Sequence, residues 1–169
     1  MKYLIVVDMQ VDFITGSLGS SLAIAIVPSV VEKVKNFDGK VIFTRDTHFA
    51  DYLQTREGTK LPVPDCIKDT AGWQICDELL PYAETVIDKV TFGSMALPRL
   101  IKEYGETIDE IELCGLCTDI CVISNAMILK ASFPETRIVV DANCCAGVTM
   151  ESHDIALAAM RAVQIEIVH

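Results

Sequence analysis

The chain has 169 residues, 51% of them hydrophobic and 22% charged. That length suits one domain with a sizeable core, and that composition excludes a disordered chain. Fourteen basic against twenty-four acidic residues give a formal net charge of −10, which argues against both nucleic acid and an anionic membrane surface as partners.

No window is long and apolar enough to span a bilayer. The opening Met1-Lys2-Tyr3-Leu4-Ile5-Val6-Val7-Asp8 superficially resembles an export signal. Its apolar run is short, however, and Asp8 interrupts it before any small-residue cleavage site. Seven cysteines, an odd number, in a chain without such a signal read as reduced thiols in the cytoplasm, most of them small buried hydrophobes.

In chain order, Tyr3 to Val7 reads as a fully buried strand. Val27, Val30, Val31, Val34 and Phe37 recur at helical spacing until Gly39 ends the segment. Lys40 to Thr44 is a second strand. Residues 46–70 show no period and form a long loop, of the kind that is usually functional in a compact domain. Gly72 to Leu80 is a short helix candidate and Thr85 to Asp88 a short strand. Leu97 to Tyr104 suits a helix with Pro98 in its first turn. Glu110 to Cys114 is a strand, and Thr118 a suitable N-cap for a helix reaching about Ser132, with Ile120, Ile123, Met127 and Ala131 on one face. Arg137 to Val140 is a strand, Glu151 to Ala162 a helix, and Gln164 to Val168 a last strand. No repeat, low-complexity stretch or linker divides the chain, so residues 1–169 read as a single domain.

About six strands that are apolar on both faces, alternating with helices, imply a doubly wound α/β fold: a mostly parallel sheet covered by helices on both sides. Ligands of such sheets bind beyond the carboxyl ends of the strands. Those ends carry Asp8, then Asp46 and His48, then Lys89, then Cys117 and Cys121. Cys121 falls in the first turn of the helix capped by Thr118, where unpaired N–H groups and the positive dipole end favour a thiolate. Lys89 nearby would lower the thiol further. Asp8 would accept the thiol proton and pass it to a leaving amine.

Other readings compete. Cys114-Gly115-Leu116-Cys117 is a C-x-x-C at a strand end, as in thioredoxin-like redox sites, but the helix start fits Thr118 better and Cys114 lies inside the strand. Cys114, Cys117, Cys121, Cys144 and Cys145 could suggest a structural zinc or iron–sulfur site, yet paired knuckles are missing.

Asp8-Met9-Gln10-Val11-Asp12-Phe13, Asp88-Lys89-Val90-Thr91-Phe92-Gly93-Ser94 and Gly115-Leu116-Cys117-Thr118-Asp119-Ile120-Cys121-Val122 resemble, in order and over nearly the whole chain, the motifs of the isochorismatase-like cysteine hydrolases, in particular the nicotinamidases and related amidases. The resemblance implies an isochorismatase-like three-layer fold and hydrolysis of a small carboxamide, with nicotinamide going to nicotinate and ammonia through a thioester. It further implies Asp8, Lys89 and Cys121 as catalytic residues, a cis peptide between Leu116 and Cys117, and an oxyanion hole from the backbone N–H groups of Cys117 and Cys121. Phe13 would form a wall of the substrate pocket. A homo-oligomer, dimeric or larger, is expected. A carbamoyl or ureido substrate and a non-catalytic binding domain are the alternatives. Isochorismatase activity proper is disfavoured, because that chemistry does not use the cysteine.

Asp46-x-His48 resembles the start of the nicotinamidase metal site, with Glu57 and Asp65 as the remaining candidate ligands. The cofactor implied is a divalent metal, Zn²⁺, Mn²⁺ or Fe²⁺. Asp65 stands where nicotinamidases commonly have histidine, and one imidazole with up to three carboxylates leans towards Mn²⁺, Fe²⁺ or Mg²⁺. Alternatively Asp46 and His48 form a hydrogen-bonded loop pair and no metal binds. His153 and His169 fall outside this region and read as surface residues.

Overall fold

Strand β1, Lys2–Val7, is buried along all but its first residue, as an unbroken apolar run requires when both faces of a sheet are covered. Each of its larger side chains contributes about 1.5–3 kcal/mol by leaving water. A computed structural model describes residues 1–169 and adds β2 (Lys40–Asp46), β3 (Val86–Lys89), β4 (Glu110–Leu116), β5 (Arg137–Ala146) and β6 (Glu166–Val168). The sheet order is β3-β2-β1-β4-β5-β6, and every neighbouring pair is parallel.

Parallel neighbours need crossovers, and helices supply most of them. After the short α1 (Val11–Ile14), α2 (Ser21–Asn36) joins β1 to β2. The β2–β3 connection holds α3 (Arg56–Lys60) and two 3₁₀ turns, Tyr52–Gln54 and Leu80–Tyr82. Helices α4 (Ala96–Glu103), α5 (Ile123–Ser132) and α6 (Met150–Ala162) make the remaining crossovers. Helix α2 packs on β4 and β5, whereas α4 and α6 both pack against α5. Right-handed crossovers put these two groups on opposite faces, which gives the three layers.

The strand order reverses between β1 and β4, and that is where an α/β sheet opens a crevice at its carboxyl edge. Gly115 lets the two strands close there. Its φ is +113°, and a Cβ would stand 2.1 Å from the Val7 carbonyl oxygen, so no other residue fits.

Several expected elements differ. Gly72 to Leu80 is not a helix. Its backbone instead serves the turn after β1: Asp12 N–H donates to Gly72 O, Val11 N–H to Gln74 O, and Cys76 N–H to Met9 O. Those bonds displace the i→i−4 pattern a helix needs. Helix α2 begins at Ser21, because Ser20 Oγ accepts the Ala23 N–H at 3.1 Å and caps it. Strand β5 continues past Val140 to Ala146 alongside β4, whose pairing is irregular between Leu113 and Gly115. The long loop after β2 is tied down by a bridge between His48 and Ile67 and contains α3.

Candidate active site

Asp8 follows β1, Lys89 ends β3, and Cys121 lies in the segment after β4. Their order in the sheet brings all three to one point. Lys89 Nζ stands 2.7 Å from Asp8 Oδ2, as an ion pair rather than an aligned hydrogen bond. The same ammonium is 3.5 Å from Cys121 Sγ and donates to Thr91 O at 3.0 Å. The other Asp8 oxygen, Oδ1, accepts from the Thr44 hydroxyl at 2.6 Å. Asp8 has φ +47°, a left-handed conformation that aspartate adopts more readily than most residues and that is common at functional turns.

Burial governs the charges here. It pushes the Cys121 thiol well above its ordinary value, the Asp8 carboxylate adds to this, and the Lys89 ammonium works in the opposite direction. Desolvation at this depth thus works against the thiolate that a helix N-terminus favours. Burial also disfavours the Lys89 charge, but Asp8, Cys121 and Asp46 outweigh it and hold the ammonium above the usual lysine range.

Thr118 is not an N-cap. Cys117 occupies that position, and residues Thr118–Val122 form a π-helical turn that runs into α5. Single π turns of this kind frequently occur at functional sites. Cys121 is thus the fourth residue of that turn, and it is buried. The Leu116–Cys117 peptide bond is cis. Cys117 and Cys121, the expected oxyanion-hole residues, both line a cavity of about 260 Å³ with Phe13, Leu61, Phe92 and Ile120. Burial, then the Asp119 and Asp8 charges, push the Cys117 thiol up to about 12, so it stays neutral. All seven cysteines are free thiols.

Asp46 links this cluster to a second one. Its Oδ2 is 3.4 Å from Lys89 Nζ, and its Oδ1 is 3.7 Å from His48 Nε2. His48 Nε2 is also 3.6 Å from Glu57 Oε1. Asp46, His48 and Glu57 offer donor atoms that all lie within 4.8 Å of one another. Two bonds of about 2.1 Å to one cation span at most roughly 4.2 Å, so both contacts of Nε2 suit a shared ion. His48 Nε2 is buried without a hydrogen-bond partner, while Nδ1 is 2.9 Å from the Asp65 carbonyl oxygen. A donor hydrogen bond from Nδ1 leaves the Nε2 lone pair free for a metal.

These residues fit a divalent cation. Asp65 stands apart from the three, since its Oδ1 faces the opposite ring nitrogen at 3.5 Å; like Asp46 and Glu57 it also lines the cavity. With no cation bound, burial disfavours the His48 imidazolium, but the hydrogen bond to Asp65 and the charges of Asp46 and Asp65 raise it to about 9, so a cation taking Nε2 must displace its proton. Asp46 is raised by burial to about 6, against the pull of Lys89.

Sequence reasoning passed over the residues that hold these groups in place. Gln10 is wholly buried, accepts the Asp46 N–H at 2.7 Å and donates to Asp46 O at 2.8 Å and Trp73 O at 2.9 Å. Asp12 Oδ2 accepts the Cys66 N–H at 2.7 Å, and Cys66 O in turn accepts the His48 N–H at 2.9 Å. Asn125, buried in α5, accepts from Ser94 N–H and donates to Phe92 O and Cys121 O. Their one signal was a polar residue placed among apolar neighbours. His153 is half-buried rather than a surface residue, whereas His169 is exposed.

Comparison with known proteins bears on this arrangement. Residues 2–168 match the family model of the isochorismatase domain. An uncharacterized isochorismatase family protein, PncA, of Bacillus subtilis is 31% identical over 92% of this chain and 92% of its own. A nicotinamidase/pyrazinamidase of Mycobacterium tuberculosis is 29% identical over 99% and 98%. Among solved structures, a pyrazinamidase of Pyrococcus horikoshii in complex with zinc superimposes with a TM-score of 0.87 at 26% identity, covering 99% of this chain and 98% of that one. No helix here is long and apolar enough to cross a membrane.

Proposed function

The chain belongs to the isochorismatase family and is an amidohydrolase; from that premise we propose that it cleaves a small carboxamide by a cysteine-dependent, nicotinamidase-like route. The observation that carries this reading is the position of Lys89 Nζ, 2.7 Å from the Asp8 carboxylate and 3.5 Å from the thiol of Cys121, a residue that lines the cavity.

In the proposed reaction the amide enters along Phe13 and Phe92, whose rings suit a flat apolar body. Asp8 takes the Cys121 proton as Sγ attacks the carbonyl carbon; the reacting atoms of the two residues lie within 4.8 Å of each other. Lys89 balances the charge through this transfer, so a thiol whose ionisation burial opposes can still act. The N–H groups of Cys117 and Cys121 receive the oxyanion. Asp8 returns the proton to the nitrogen, the C–N bond breaks, and ammonia leaves a thioester. Water then attacks the thioester while Asp8 accepts its proton, the C–S bond breaks as Asp8 passes that proton to the departing sulfur, and the carboxylic acid product leaves the Asp8 carboxylate and the Cys121 thiol restored.

Asp46, His48 and Glu57 would hold a divalent cation, which when bound supplies a Lewis-acidic anchor for a ring nitrogen or similar lone pair of the substrate. Asp46, Glu57 and Asp65 make that side of the cavity polar. The test is ammonia release from nicotinamide, pyrazinamide, carbamoylated amines and ureido compounds, with and without added Mn²⁺, Fe²⁺ or Zn²⁺. Turnover of nicotinamide supports the reading. Nicotinamide inert under every metal condition, with a non-aromatic amide turned over, overturns the nicotinamidase-like assignment.

A further inference from the structure

The junction between β5 and α6 grips the nucleophile-bearing turn at two adjacent residues. Val148 N–H donates to Asp119 Oδ1 at 3.1 Å. His153 Nδ1 is hydrogen-bonded to the Thr118 hydroxyl at 2.7 Å. Thr118 is wholly buried and opens the turn that carries Cys121.

The place of His153 is set by its own helix. Thr149 caps α6: its side chain accepts the Ser152 N–H at 3.0 Å, and the Thr149 N–H donates back to Ser152 Oγ at 3.1 Å. The His153 N–H donates to Thr149 O at 3.0 Å. Gly147 leaves the room this needs, since a Cβ there would meet both the Cβ and the backbone nitrogen of His153 at 2.9 Å. His153 does not line the substrate cavity; it lines a separate groove, and Gly147 borders both.

The turn depends on outside support. Val122 N–H reaches back to Cys117 O at 3.0 Å, five residues away, and Ile120 N–H donates to the same oxygen at 3.1 Å. One carbonyl thus serves two donors, and the regular α ladder is interrupted. The carbonyl of Cys121 itself accepts from Asn125 Nδ2 at 2.8 Å, and the start of the turn is held at Thr118 by His153.

We infer that His153 is a positioning residue for the nucleophile: through Thr118 it fixes the turn so that Cys121 Sγ faces Lys89 and Asp8. The inference rests on the reading of Cys121 as nucleophile. A displacement of about 1 Å at such a site costs on the order of 100-fold in rate, so the loss of one such bond should show in turnover.

The experiment is a double-mutant cycle with His153→Ala, Thr118→Val and the pair, with His153→Asn and Thr118→Ser as conservative variants. Its readouts are kcat and KM for the best amide of the panel, the rate of Cys121 alkylation by iodoacetamide, and the melting temperature. His153→Ala and Thr118→Val should each lower kcat about tenfold or more and leave KM within about twofold. The pair should be no worse than either single change. His153→Asn, which offers a polar atom near the Nδ1 position, should recover most of the loss, as should Thr118→Ser. An unchanged kcat in His153→Ala, additive losses in the pair, or no recovery in the conservative variants despite an unchanged melting temperature would each overturn the inference. If the wild type releases ammonia from no amide, the functional reading fails, while the alkylation rates still decide whether His153 and Thr118 act on Cys121 as a unit.

Discussion

Two lysines of this chain are each drawn between a pair of carboxylates. Lys33, on α2, stands 2.6 Å from Glu112 and 2.7 Å from Asp141, on neighbouring strands. Lys89 stands 2.7 Å from Asp8 and 3.4 Å from Asp46. Burial disfavours both charges, and in both cases the carboxylates outweigh it and hold the ammonium above its ordinary range. Around Lys33 the result is a clamp between a helix and the sheet: Cys144 and a surface pocket lie beside it, but its ammonium is paired with Glu112 and Asp141 and with no thiol. Around Lys89 a thiol joins the group at 3.5 Å, with a cavity beside it. Charge compensation in itself is therefore a structural device. It becomes chemistry where one neighbour can give up a proton and a substrate has room to receive the sulfur.

That contrast can be broken most sharply at the sulfur. Cys121→Ala should reduce ammonia release by about 1000-fold or more and move the melting temperature by no more than a few degrees. Lys89→Met should reduce turnover by on the order of 100-fold. Because the Lys89 charge pulls the Cys121 thiol down, its removal lets burial and Asp8 push that thiol higher still. The pH profile of iodoacetamide alkylation should then shift to more alkaline pH, and a shift to lower pH would contradict the arrangement.

At the other lysine the effect should fall on stability instead. Lys33→Met leaves two carboxylates without their partner, and the side chain is 19% exposed, so the loss should be about 2–4 kcal/mol, towards the lower end of the cost of breaking a buried pair. Turnover of the folded protein should be unchanged. The Lys33 ammonium is raised on folding, so its contribution is fully present below the unfolded lysine value of about 10.4. Melting curves of wild type and variant should stay apart at neutral pH and converge as pH rises above that value. Smallest is the change expected at the edge of the site: Glu57→Gln should weaken Zn²⁺ or Mn²⁺ binding about 10–100-fold by calorimetry, with little change in melting temperature, since Glu57 is the most exposed of the three donors.

The strands and their edges were legible because their signals are local. Tyr3–Val7 and Lys40–Thr44 are apolar on both faces, and only a covered parallel sheet accommodates that pattern. Once the sheet is parallel, the residues that follow each strand share one rim, and Asp8, Lys89 and Cys121 meet for that reason. Asp46, His48 and Glu57 lie together, whereas Asp65 faces the other nitrogen of the imidazole, to which its own carbonyl is hydrogen-bonded. Spacing along a loop carries no information about which ring nitrogen a carboxylate will face.

The amino-acid sequence by itself determined the alternation of elements, the parallel sheet and the chemical types gathered at its carboxyl edge, since these follow from apolar runs, caps and breakers a few residues apart. The tertiary structure alone decided that residues 72–76 pair with the turn after β1 instead of coiling, that Cys121 sits in a π turn braced by Asn125 and His153, and that burial pushes its thiol up. Each of those outcomes depends on a partner far away in the chain or on the depth of burial, and neither quantity is set by neighbours in sequence.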